Sequence, residues 1–231
     1  MEHLEFLHKI NIGVHVVAGL IALMLGITSL STLKGGKAHR KSGTLFLYFL
    51  TIVVVTGLLG VLIFEVNQFL LVITILSGYN AYSGIRVLKN KTCKINRQDI
   101  LAGLFSAASG IYFLYYIKNI GMFWSPIIIY STLGALFLIV LYDLLRYLIP
   151  KGKYGNLWLY EHIYKMVSAF TALLAAATGT VYDEYHPHSQ YLPSLFGTLL
   201  AIGFIVYFYR RNNSKSKIRE LDTNKIVEGK S

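Results

Sequence analysis

The sequence contains one cysteine, Cys93, and four prolines in 231 residues. A single thiol excludes an intramolecular disulfide and any cysteine-built metal cluster. Charge is scarce as well: Asp, Glu, Lys and Arg make up 14% of the chain against 55% hydrophobic residues, too few to shield a soluble globule from water. Acids are the scarcer sign, 11 against 22 bases, for a formal net charge of +11. No Asp, Glu, Lys or Arg occurs between Ile10 and Thr32 or between Gly43 and Phe64. Each stretch is long enough to cross the roughly 30 Å hydrocarbon core of a bilayer, so the pair reads as a membrane hairpin.

The turn of that hairpin, Leu33 to Gly43, holds Lys34, Lys37, Arg40 and Lys41 and no acid. Further apolar runs at 66–85, 100–117, 123–142, 166–182 and 191–209 bring the predicted total to seven helices. Glu65-Val66-Asn67-Gln68 supplies the outer turn that divides the second span from the third. The sixth helix begins before its uncharged run, near Trp158, with Glu161 and Lys165 paired i,i+4 at the headgroup level. All but Lys9 and Lys118 of the 22 Lys and Arg fall on one side of such a threading. The excess of cations predicts an N-terminus outside and a C-terminus in the cytoplasm.

The expected fold is therefore all-α, a polytopic bundle of seven transmembrane helices. An outer segment covers residues 1–9, the membrane domain 10–209, and a basic, disordered tail 210–231. Met1 to Glu5 lack the basic start of a secretory signal, so the first helix is expected to be retained. With the basic residues confined to turns and tail, the net charge predicts anionic lipid headgroups as partners and no nucleic acid. Trp124, Tyr147, Trp158, Tyr182 and Tyr191 fit interfacial belts.

Small residues predict close packing on the first helix (His15, Gly19, Ala22, Gly26), the fourth (Gly103, Ala107) and the sixth (Ala172, Ala176), which are expected to form the tight part of the bundle. Ser77, Asn80 and Gly84 make a polar stripe on the third, which belongs inside.

Ionisable groups inside spans are costly and mark function. His15 lies near the outer face and, by its helical spacing, points at a neighbouring helix. His39 and His162 share the inner depth, where two imidazoles from different helices could ligate haem b or a divalent transition metal. Each also fits a plain hydrogen-bonded histidine. An outer group, His8 with Asp183, Glu184, His186 and His188, has donors suited to a metal but no tight ligand spacing; a solvated acidic loop accounts for it equally. His8 and His15, seven apart, fall on one helix face. Asp143 and Arg146, spaced i,i+3, are expected to pair with each other, and Asp99 to sit at a helix terminus. Lys34-Gly35-Gly36-Lys37 lacks the spacing of a phosphate-binding loop. A retinal protein is excluded because the seventh span has no lysine.

His15-Val16-Val17-Ala18-Gly19, His39-Arg40-Lys41-Ser42-Gly43 and His162-Ile163-Tyr164-Lys165-Met166 together resemble an uncharacterised family of bacterial integral membrane proteins with a His-x-x-x-Gly, His-Arg-x-x-Gly, His-x-x-x-Met pattern. The resemblance covers nearly the whole chain in span order. It implies a helical bundle in a bacterial cytoplasmic membrane and favours treating the three histidines as a set, but it carries no activity. Three classes stay open: a haem- or metal-binding redox protein, a carrier or channel for a small solute or proton, and a non-catalytic sensor or assembly protein.

Overall fold

A computed structural model describes residues 2–64, 69–121 and 125–228. Among them are seven α-helices and no strand: α1 Glu2–Ser31, α2 Lys37–Leu62, α3 Phe69–Asn90, α4 Arg97–Ile120, α5 Pro126–Leu145, α6 Leu157–Val181 and α7 His188–Glu228. Five of them, α1, α2, α4, α5 and α7, are long and apolar enough to cross a bilayer. The protein is a multi-pass membrane protein.

The other two, α3 and α6, have the length but not the hydropathy, and their position explains why. They pack on each other at the centre, with α2, α4 and α5 also against α3, and α1 and α7 also against α6. Ser77, Asn80 and Ser83 of α3 and Glu161, Lys165 and Thr171 of α6 therefore face protein rather than lipid. Outward surfaces are apolar instead: Val16, Val17, Leu20, Met24 and Ile27 of α1 and Leu192, Leu195, Phe196 and Leu199 of α7 are all exposed.

Two apolar cores flank this centre. One joins Val72, Ile75 and Tyr79 of α3 with Phe113 of α4 and Leu133, Leu136 and Val140 of α5. The other joins Ala18 and Ala22 of α1, Phe46 and Leu50 of α2, Ala81 of α3 and Ala169, Phe170 and Leu173 of α6. The small face of α1 is buried as its spacing predicts, at Ala18, Ala22 and Gly26. A Cβ at Gly26 would overlap the Phe170 ring, so glycine there sets how closely α1 and α6 approach. The small face of α4 goes elsewhere: Gly103 and Gly110 meet Val140, Leu144, Leu133 and Phe137 of α5. The expected α1, α4, α6 core is thus corrected to α1, α2, α3, α6, because α4 is drawn to the apolar surface of α5.

The first turn is shorter than its sequence implies. α1 ends at Ser31 and α2 starts at Lys37, so His39, Arg40 and Lys41 are helical. Gly35 takes a left-handed φ of 80°, which lets the chain reverse within five residues. Lys34 folds back, its ammonium donating to the carbonyls of Ser29 and Thr32 at 3.3 Å and also to that of Leu30. It lies 4.6 Å from the centre of the Phe204 ring. This cation caps the carbonyl end of α1, and burial lowers its pKa from the ordinary lysine value.

At the other termini, residues 2–9 belong to α1, with Glu5 and Lys9 paired at 2.8 Å, and α7 continues as helix past Arg210, where disorder is expected, to Glu228. The expected turn at Glu65-Val66-Asn67-Gln68 and the belt residue Trp124 lie outside the described residues.

Candidate functional site: a buried ion network and three anchored imidazoles

Two acids and two bases meet inside the bundle. Lys165 of α6, 1% exposed, donates to Asp143 Oδ1 of α5 and, at 2.7 Å, to Ser83 Oγ of α3. Asp143 Oδ2 accepts from the Tyr79 hydroxyl at 3.0 Å and from Ser83. One turn along α6, Glu161 Oε2 accepts from Arg146 Nη1 at 3.3 Å and lies 3.8 Å from the Lys165 ammonium. Its Oε1 accepts from the Tyr142 hydroxyl at 2.7 Å. Arg146, in the 3₁₀ turn Arg146–Leu148 that follows α5, also donates to the Lys94 carbonyl at 3.5 Å.

The set is electrically neutral, and each charge has an opposite partner, the condition for keeping ions in a low-dielectric interior. The pairing corrects two expectations. Asp143 and Arg146 do not pair with each other; Asp143 of α5 meets Lys165, the later residue of α6, and Arg146, just past α5, meets Glu161, the earlier. Antiparallel register between the two helices therefore decides the partners. Glu161 and Lys165 do approach each other at i,i+4, but buried in protein. Tyr79, Tyr142 and Ser83 were not singled out from sequence. Ser83 continues the polar stripe of α3 one turn past Asn80, and that spacing was the available signal.

A second, partly exposed pair adjoins the first. Arg86 of α3 holds Asp99 of α4 through Nε at 2.7 Å and Nη2 at 3.3 Å, and the Tyr82 hydroxyl donates to the same carboxylate at 3.3 Å. Asp99 accepts the Asn96 backbone N–H at 3.0 Å, closing the N-terminus of α4 as expected for an acid in the first turn. A crevice of about 10 Å³, room for one water, lies among Tyr79, Tyr82, Ser83, Arg86, Asp99, Asp143 and Arg146. Beside Glu161, the Tyr154 hydroxyl is buried without a hydrogen-bond partner. Burial first, and the Glu161 charge second, push its pKa above the usual phenol value.

The three histidines named from sequence share one arrangement. His162 Nδ1 is 3.0 Å from the Gly84 carbonyl of α3. His39 Nδ1 is 3.0 Å from the Ser29 carbonyl and 3.1 Å from Ser29 Oγ of α1. A carbonyl only accepts, so in both rings Nδ1 carries a hydrogen, which in a neutral imidazole makes Nε2 the lone-pair nitrogen. His15 Nδ1 is 2.8 Å from Thr56 Oγ1, which lies 2.7 Å from the Ile52 carbonyl. With the threonine hydrogen turned to its own helix, at Ile52 or at Val53 (3.1 Å), His15 Nδ1 is the donor and Nε2 the acceptor of the neutral ring. His39 is on α2 beside Ser29 and His162 on α6 beside Gly84, whereas His15 belongs to the N-terminal half of α1.

The outer group is not assembled. His8 stacks on Phe64, with ring centres 4.6 Å apart and planes within 9°, while Asp183 and Glu184 fall in an exposed 3₁₀ turn and His188 starts α7. Among the described residues no three His, Cys, Asp or Glu come together as a set that could hold a metal ion. His8, Asp183, Glu184, His186 and His188 thus do not converge on one metal centre.

His8 and His15 do share a face, as their spacing predicts, and both line a cavity of about 200 Å³ between α1, α2, α3 and α6. From there Thr74, Ser77, Asn80 and Ser83 step along α3 every third residue to the ion network. Asn80, 1% exposed, has an Oδ1 with no hydrogen-bond partner.

No family model, curated protein or solved structure matches the chain.

Proposed function

We propose that the chain is a redox protein of a bacterial cytoplasmic membrane, in which His39 and His162 ligate haem b or a divalent transition metal on the cytoplasmic side. All seven helices cross the bilayer in this reading, with the N-terminus outside and the C-terminus inside. Lys37, Arg40, Lys41 and the tail from Arg210 meet anionic headgroups.

The observation that carries the reading is the pair of backbone-anchored imidazoles. A metal-binding histidine characteristically donates its other ring N–H to a carbonyl or carboxylate, which fixes the tautomer and aims the lone pair. His39 and His162 each have that anchor and sit on different helices, α2 and α6. The bound group would supply one-electron transfer. The residues around it hold the ligands still: Lys165, one turn from His162, and Glu161, next to it, are pinned to α3 and α5, which fixes the rotation of α6. The resemblance to the uncharacterised family, whose pattern includes both histidines, fits this reading.

Purified protein in detergent tests it by absorption spectrum and metal analysis. The expected result is a Soret band or bound metal in the wild type that is lost in both His39→Ala and His162→Ala. Colourless, metal-free protein overturns the proposal.

A second reading, a carrier for protons or a small solute, is favoured by the polar ladder from Thr74 to Ser83, which joins a cavity to buried ions and contains the unpartnered Asn80 Oδ1. Its test is flux in proteoliposomes with and without His15→Ala; no flux in the wild type counts against it.

A further inference from the structure

The cavity around His15 makes no use of the His39 and His162 pair, and its walls specify a ligand by themselves. Most of its lining is apolar, from Leu50, Val53 and Val61 of α2, Ile73 of α3 and Leu173 and Ala176 of α6. No Asp, Glu, Lys or Arg lines it, so a charged molecule would enter without a counter-ion. About 200 Å³ is somewhat larger than the roughly 150 Å³ that accommodates a benzene ring in a protein interior.

Several polar groups in the wall are tied to their neighbours. Asn11 Nδ2 donates to the Thr56 carbonyl at 3.0 Å. Thr56 Oγ1 donates to its own helix at Ile52, and His15 Nδ1 donates to Thr56. Ser77 Oγ donates to the Ala169 carbonyl at 3.2 Å. What Asn11 and His15 retain are acceptors, Oδ1 and Nε2. A pocket with mostly apolar walls, no carboxylate, ammonium or guanidinium, two acceptors on α1 and the Thr74 hydroxyl opposite recognises a neutral, ring-sized molecule that brings a hydroxyl group. An alcohol of this kind gains a hydrogen bond to each acceptor, whereas its ether leaves both unpaired, a penalty that polar sites use to discriminate.

We infer that this cavity is a binding site for a neutral one-ring phenol or hydroquinone, with His15 Nε2 and Asn11 Oδ1 accepting its hydroxyl hydrogens. Such molecules are lipid-soluble, and the site opens within the bundle of a protein surrounded by lipid. Its chemistry is independent of whether a metal or haem is bound at the other end of the molecule.

The test uses full-length protein in detergent with ¹⁵N-labelled histidine, followed by NMR of the ring nitrogens, with p-cresol as probe and its methyl ether, 4-methylanisole, as control. Absence of one signal set in His15→Gln assigns the His15 resonances. The expected result is a saturable shift of His15 Nε2 with p-cresol and at most a tenth of that shift with 4-methylanisole at equal concentration. Ala176→Leu and Ala172→Leu, which fill the cavity from the α6 wall, should abolish it, with unshifted His39 and His162 signals reporting an intact fold. Equal shifts with the ether, no shift with p-cresol, or a shift that survives both filling variants would overturn the inference. The double variant His39→Ala and His162→Ala should keep the p-cresol response, so loss of the redox reading and loss of this site register separately.

Discussion

His162 and Gly84 form one joint between α6 and α3: the histidine donates Nδ1–H to the glycine carbonyl at 3.0 Å, and the glycine leaves room for the approach. A Cβ on Gly84 would stand 3.1 Å from Met166 Sδ and 3.2 Å from Lys165 Cβ, tighter than ordinary contact. Gly84→Ala should therefore push the two central helices apart. We expect a loss of about 1–3 kcal/mol in denaturant unfolding in detergent, the usual cost of overpacking. Any Soret band should weaken in parallel, since His162 loses its anchor. An unchanged midpoint and spectrum would show that the joint tolerates a methyl group.

The Lys165–Asp143 pair, with side chains 1% and 9% exposed, should behave as a buried ion pair. Removing one partner strands the other charge, so Lys165→Met or Asp143→Leu alone should cost about 3–5 kcal/mol. The double variant should lose clearly less than the two singles added together, because no lone ion remains. Unfolding midpoints of the four proteins close the cycle, and strict additivity would mean that the pair is not coupled.

Tyr154 gives a prediction of opposite sign. Its hydroxyl is buried and unpaired, so Tyr154→Phe should leave stability unchanged or raise it by about 1 kcal/mol. Because the folded-state pKa is raised, folding prefers the protonated phenol. The wild-type contribution is full below the unfolded phenol value of about 10 and is lost as pH rises beyond it. Phenylalanine should move the alkaline unfolding limb to higher pH, as followed by circular dichroism between pH 8 and 12. A limb at the same pH in both proteins would contradict this.

The threading has its own measurement. Cys93 is buried, so the wild type should react little with an impermeant maleimide. In intact cells His3→Cys should label and Lys37→Cys should not, with the pattern equalising after lysis. Labelling of Lys37→Cys in sealed cells would invert the proposed orientation.

Much of the helix order was legible because apolar run length and small-residue spacing are local properties. The same holds for His15 facing a neighbour and for the shared face of His8 and His15. Partner choice was not local. Whether Asp143 meets Arg146 or Lys165 depends on the register of α5 against α6, and nothing in either segment encodes that distance. Charge counting also treats every cation as solvated, so Arg146 and Lys165 read as charges at the membrane surface when both are enclosed. Likewise Gly103 and Ala107 reveal that α4 packs closely, but not that α5 is the surface it packs on.

The weak hydropathy of α3 and α6 has a consequence for biogenesis. A nascent segment that is too polar to partition alone leaves the translocon only in company, and α3 must wait about eighty residues of synthesis for α6 to bring Lys165 and His162. Chains truncated before α6 should therefore be degraded, even though α1, α2, α4 and α5 are greasy enough to insert unaided.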